Sequence, residues 1–120
     1  MDNFVQRGET MPWTNGTGSD VSSGDVVVVG GQIGVAVTDI ADGAAGDLAM
    51  DGVFSLPKST GAAINQGDAA MYDVSASAFV ASGGTPATGD VTGAVACWET
   101  AASAAVTVKV KINAGVGTVN

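Results

Sequence analysis

Side chains able to do chemistry are scarce in this chain, and those present are poorly spaced for catalysis. The 120 residues include no histidine, so the commonest general base and the commonest transition-metal ligand are missing. Serine triads and zinc sites of the usual composition go with it. Twelve Asp and Glu remain. Two carboxylates suffice for glycoside hydrolysis, yet pairing Asp51 with Glu99 is an arbitrary choice among the twelve. The run Asp39-Ile-Ala-Asp-Gly43 has a faint likeness to a calcium loop, but EF-hand spacing is absent and no Glu follows at the required place. It reads instead as a turn capped by side chains. Gly30-Gly31-Gln32-Ile33-Gly34 lacks the Lys-Ser/Thr and the helix start of a phosphate loop. Cys97, inside Ala-Val-Ala-Cys-Trp, reads as a small buried apolar residue, and being the one cysteine it excludes an intrachain disulfide. These residues assign no catalytic group, no cofactor and no metal.

Charge narrows the partners. Four Lys and Arg against twelve Asp and Glu give −8 and a pI near 4.1, a surface that repels phosphate backbones. Nucleic acid is not an expected partner. The carboxylates are scattered singly, as solvated loop charges are. No apolar run approaches the roughly 18–20 residues that span a bilayer, and Met1-Asp2-Asn3-Phe4-Val5-Gln6-Arg7 lacks the basic and apolar regions of a signal peptide. The expectation is a soluble protein made in the cytoplasm, with no membrane contact. Two of the four basic residues, Lys109 and Lys111, fall on one polar strand face. In so acidic a chain they are expected near carboxylates, of the same subunit or of a partner.

What positions these groups is β structure. Gly24 to Val37 holds the central signal: Val26 to Val29 are four β-branched residues in a row, so a strand there carries apolar groups on both faces and must be covered twice. Each buried Val is worth roughly 1.5–3 kcal/mol, a large share of a small domain's net stability. Gly30-Gly31-Gln32 then permits a hairpin turn before the alternating Ile33 to Val37. The pairs Gly24-Asp25, Gly46-Asp47, Gly67-Asp68 and Gly89-Asp90 recur at intervals of 22, 21 and 22 residues, each before an apolar segment. Glycine supplies turn angles and Asp bonds nearby amides, so each pair is read as a strand-initiating device, with the spacing of a sandwich or small barrel.

In chain order, residues 1–20 are read as an N-terminal arm and 21–120 as a single β domain. Phe4, Val5, Met11 and Trp13 lie in the arm, which either folds back as an edge strand or reaches a neighbouring molecule with Trp13 as an aromatic anchor. Leu48 to Leu56 alternates imperfectly around Asp51-Gly52, which is either a tight turn or, the preferred reading, a β-bulge inside one longer strand, closed by Pro57. Ser59 to Gln66 is the one expected helical piece. Ala69–Val74 and Ala78–Val80 are short strands, Ala81 to Gly89 a loop, and Val91 to Thr100 a strand. Ala105 to Asn113 is the cleanest strand, with Val106, Val108, Val110 and Ile112 on one face. The tail from Ala114 to Asn120 is expected to fray or to pack only against a neighbour. With 46% apolar residues but only 5% aromatic, the core is thin, and subunit contacts are a usual remedy.

Several stretches together resemble a known family. Asn3-Phe4-Val5-Gln6, Val21-Ser22-Ser23-Gly24-Asp25 with its Val run, Gly34-Val35-Ala36, Tyr72-Asp73, Gly93-Ala94-Val95 and Val106-Thr107-Val108-Lys109-Val110 are similar to capsid cement or decoration proteins of tailed bacteriophages. Gly52-Val-Phe-Ser-Leu-Pro-Lys58 is the most specific piece. The resemblance implies a compact antiparallel β-barrel or tulip-like domain that binds the outer surface of an icosahedral head. It further implies homotrimers that clamp neighbouring major capsid protein subunits after expansion. Phe4, Val5, Met11, Trp13, Lys109 and Lys111 are the expected interface residues. The competing reading is a small β-barrel that binds carbohydrate or another ligand, which would show a concave patch of convergent polar and aromatic groups.

Overall fold

The Val run forms the hairpin that its β-branching dictates. In a computed structural model, which describes residue 3 and residues 8–120, β2 (Val26–Val29) pairs antiparallel with β3 (Gln32–Ala36) across the two-residue turn Gly30-Gly31. Val26 stands opposite Val35 and Val28 opposite Ile33 on one face, packed into the larger core. Val27 and Val29 point the other way, into a second cluster with Ile40, Leu48 and Met50. Both faces of the run are covered, as four consecutive valines require.

Among the described residues the chain is all β, with no helix. β1 (Thr10–Thr14) and β4 (Ala45–Ala49) join the hairpin in a sheet ordered β1-β4-β3-β2. β5 (Val53–Pro57), β9 (Ala96–Glu99) and β10 (Thr107–Lys111) form a second, ordered β5-β10-β9. β6 (Met71–Asp73), β7 (Ala78–Val80), β8 (Val91–Thr92) and β11 (Thr118–Val119) form a third, ordered β11-β8-β6-β7. All strand pairs within the sheets are antiparallel. Side chains from all three sheets meet in one core around Phe79, Ile33, Ile64, Val91, Val110 and Ile112. Tyr72 packs on its cross-strand partner Phe79 with ring centroids 5.1 Å apart.

Several expectations are corrected. The sheets do not close into a barrel: the chain leaves one sheet for another at Gly52 and at Gly93, both at positive φ, and among the described residues no ladder of paired strands joins one sheet to the next. Asp51-Gly52 is therefore a corner between β4 and β5 rather than a bulge within one strand, with Asp51 Oδ1 accepting the Gly52 amide at 2.9 Å. Gly93 likewise splits Val91 to Thr100 into β8 and β9. Ser59 to Gln66 is not helical; it runs as bends and bridges Ala101 through Ile64, whose amide and carbonyl both bond across. Val106 is 68% exposed and stands off the buried face of β10, which begins one residue later.

The tail does not fray. The Gly117 amide donates to the Gly31 carbonyl at 2.7 Å, β11 pairs with β8, and the Asn120 side chain donates to the Asp90 carbonyl. Gly117 is needed there because a Cβ would press on Thr92 O, Val91 Cγ1 and Ala94 Cβ, all within 2.9 Å. Pro57 ends β5 as expected, at an edge where its missing N–H leaves no ladder bond unmade.

The Gly-Asp rhythm has a physical basis sharper than its spacing. In Ser22–Asp25, Asn65–Asp68 and Ala87–Asp90 the fourth amide donates to the first carbonyl, and the third residue is a glycine with φ between 88° and 92°. The same glycine donates to a distant carbonyl, and that distant residue's amide donates back to the Asp carbonyl. Each turn thus grips one residue: Ala36, Cys97 and Asn120 respectively. A fourth grip, on Asn15, comes from Ala41-Asp42-Gly43-Ala44. Gly46-Asp47 is not such a turn. Gly46 lies in β4, opposite Trp13, where Ile40 packs so closely that a Cβ would stand 2.6 Å from its side chain.

Candidate functional surface

The sheet β5-β10-β9 has one buried face and one open face. Val108, Val110, Leu56 and Cys97 point inward, so period-two geometry sends their neighbours outward. The outer face carries cross-strand rows: Ala96, Lys111 and Val53, then Glu99, Lys109 and Ser55, then Thr107 and Pro57. Lys109 Nζ lies 3.0 Å from Glu99 Oε2, both side chains more than half exposed. Lys111 has no carboxylate at salt-bridge distance among the described residues. Part of the expectation for the two lysines is thus met, within the subunit.

β9 carries an irregularity at this point. Lys109 pairs with Glu99 but Val110 with Cys97, so Trp98 is the extra residue of a β-bulge. Its ring is 54% exposed, and it bounds a shallow depression of about 370 Å³ with Gln66, Gly67 and Ala96. Lys109 and Glu99 border a second depression of about 220 Å³ beside Ser55 and Thr107. Sequence reading placed Trp98 in a strand but did not single it out. Its prominence comes from the register shift, which the sequence does not show.

The other expected interface residues are elsewhere. Met11 and Trp13 sit on β1, half-buried, with Met11 opposite Leu48 and both packed against the second core. For Thr10–Thr14 the fold-back alternative is therefore realised. Phe4 and Val5 lie outside the described residues. The expected residues do not gather at one place: β1 and β10 belong to different sheets.

Several carboxylates, Asp39 of the weighed calcium-loop likeness among them, are engaged structurally. Asp39 Oδ1 accepts the Ser23 amide, Asp20 Oδ1 accepts the Asp42 amide, and Asp90 accepts amides of Val74 and Ala87 while only 3% exposed. Among the described residues no group of three His, Cys, Asp or Glu is placed to hold a metal. A cleft of about 300 Å³ brings Tyr72, Ser77 and Asp25 near Val26 and Pro57. Its carboxylate is already engaged, with Asp25 Oδ2 accepting the Ser22 amide at 2.9 Å. No buried side-chain N or O among the described residues lacks a partner. Lys58, buried at 4% exposure, donates from Nζ to the carbonyls of Ser59 at 3.0 Å and of Ser103 and Ala105 at 3.4 Å.

Among the described residues the structure is thus an all-β unit whose buried side-chain polar groups are internally satisfied, with one open sheet face. The sequence profile of the phage cement proteins matches residues 5–112. The chain belongs to the phage cement protein family. Membership gives it a structural role on the virion capsid and capsid proteins as partners. No curated protein and no solved structure matches the chain. Within this cement protein, the most specific stretch of the family resemblance, Gly52 to Lys58, forms one mechanical unit. Gly52 turns the corner, β5 contributes Leu56 to the core, Pro57 ends the strand, and Lys58 ties it to the 103–105 backbone. Among the described residues, no helix is long and apolar enough to cross a membrane.

Proposed function

We propose that this cement protein binds the outer surface of an icosahedral phage head and clamps neighbouring major capsid protein subunits, stabilising the expanded shell. The family match across residues 5–112 carries the reading. It acts by adhesion, without catalysis. Trimers astride the head's threefold positions would gain avidity from several modest contacts at once. Phe4, Val5, Met11, Trp13, Lys109 and Lys111 contribute those contacts, the first two from the segment before β1 and the lysines from the open face of β10. Residues 1–20 act as the attachment arm of a single β domain, 21–120, although β1 also completes a sheet of its own chain.

Because Thr10–Thr14 pairs with β4 and Glu9 O accepts the Met50 amide, a truncation that tests the arm has to stop before Glu9. Removing residues 1–7 takes away none of the described strands. Its occupancy on heads lacking the cement protein, measured by co-sedimentation, is expected to fall; full occupancy removes residues 1–7, Phe4 and Val5 included, from the interface. If the unmodified chain neither pellets with heads nor raises their resistance to heat, the cement reading fails.

A further inference from the structure

We infer that the outer face of the β5-β10-β9 sheet is the docking face, with Trp98 as its anchor, and that its occupant is a carboxylate-bearing surface of the capsid shell. The inference rests on the cement reading and adds the surface and the chemistry it recognises.

Charge is the first argument. Of the four basic residues, Arg7 lies outside the described residues and Lys58 is buried against carbonyls. The exposed cations of the described chain are therefore Lys109 and Lys111, and both stand on this one face. Glu99, the carboxylate in its rows, is already paired with Lys109. Among the described residues of this chain of charge −8, one exposed cation, Lys111, has no carboxylate at salt-bridge distance, and it stands on the strand beside the one that carries the exposed Trp98 ring. That pairing of a locally positive spot with a globally acidic body complements an acidic partner and orients the approach.

The anchor is the second. Large aromatic rings are enriched where binding energy concentrates, and β-bulges re-aim side chains beside functional sites. Here a bulge sets Trp98 at the margin of the lysine rows, with 41%-exposed Val53 in the same row as Lys111. An apolar notch on the partner would take the ring, and a carboxylate would take Lys111.

A nucleic acid does not suit two lysines on so acidic a body. A second copy suits it less than the shell does. The family's partner is the capsid, which favours the shell over a second copy, and the test below separates the two.

The test uses the full chain and heads that lack it, with bound protein measured by co-sedimentation across a range of NaCl. Trp98→Ala and Lys111→Glu alter exposed groups, so native melting curves are expected and are checked first. Each is expected to weaken head binding roughly tenfold or more, and Lys111→Glu should also flatten the salt dependence. Val116→Thr, on the 77%-exposed tail residue away from this sheet, should bind as the unmodified chain does. Salt-independent binding of the unmodified chain overturns the charge argument without any variant. If the unmodified chain binds heads and both face variants bind equally well, the docking face is wrong while the cement reading stands. Loss of self-association with head binding intact makes the occupant a second copy and overturns the inference. Failure of the unmodified chain to bind any head overturns the cement reading itself.

Discussion

Asn113 holds Ile33 by both of its backbone groups: Asn113 Oδ1 accepts the Ile33 amide at 2.9 Å, and Nδ2 donates to the Ile33 carbonyl at 2.8 Å. A side-chain amide here imitates a strand rung between segments 80 residues apart. Nδ2 also donates to the Met50 carbonyl at 2.8 Å, so one residue ties the hairpin, the β4–β5 corner and the end of β10. The position also has φ of 54°, which Asn tolerates better than most residues.

Replacing it separates these roles. Asn113→Ala loses all three bonds and strains the backbone, and is expected to cost about 2–4 kcal/mol in urea unfolding. Asn113→Gly relieves the strain but not the loss, and should fall between Ala and the unmodified chain. Equal stability for all three would show that the side-chain bonds contribute nothing.

Closure of the tail depends on the absence of one methyl group. Gly117→Ala drives a Cβ into Thr92 O and Val91, so the tail should lift from β8 and the Gly31 turn at a cost of about 1–3 kcal/mol. Amide exchange should quicken at 117–120 first, while the amides of β10 keep their protection. Unchanged exchange along the tail would contradict the packing described.

Alkaline pH should weaken the fold through two buried acids. Burial is the main cause raising the Cys97 thiol, opposed by its hydrogen bond at the Glu99 backbone and reinforced by the Asp68 and Glu99 carboxylates. Burial likewise raises the Tyr72 phenol, opposed by Ser77 and reinforced by Asp25 and Asp73. A raised folded value favours the neutral form, so each contribution is whole below the unfolded value and is lost as pH rises through the folded one. Unfolded thiols titrate near ~8.5 and phenols near ~10; unfolding midpoints should therefore begin to drop near the first and drop again near the second. Cys97→Ala should remove the earlier drop. A profile that stays level to about pH 11 would refute the assignment. A thiol reagent at neutral pH should label the unfolded chain far faster than the folded one.

Lys58 provides a fourth test. Its ammonium is the donor for three loop carbonyls, so Lys58→Met keeps the length of the side chain but strips those acceptors of their partner. The expected loss is about 1–3 kcal/mol, with the 102–105 turn opening first in amide exchange. Wild-type stability in that variant would make the ammonium incidental.

The sequence carried the local signals well and the long-range ones poorly. Four valines followed by two glycines specify a hairpin because side-chain alternation and turn geometry are properties of neighbouring residues. Three Gly-Asp turns were legible for the same reason. Gly46 was misread because a glycine required by the approach of Ile40 looks the same in sequence as one required by a turn. Barrel closure failed as an expectation because Gly52 and Gly93 redirect the chain between sheets, and pairing partners such as β5 and β10 are set by tertiary packing. On the candidate face, Lys109 and Lys111 were visible from alternation alone. Trp98 was not, since its prominence comes from a register shift between two strands.

β10 is the middle strand of its sheet, flanked by β5 and β9, both of which precede it in the chain. During translation those two strands leave the ribosome with nothing to join them, and the apolar sides of Leu56 and Cys97 stay unshielded until residues 107–111 emerge. Assembly of this half of the molecule is thus a late, nearly all-or-none event. The nascent polypeptide has to be kept from aggregating until then.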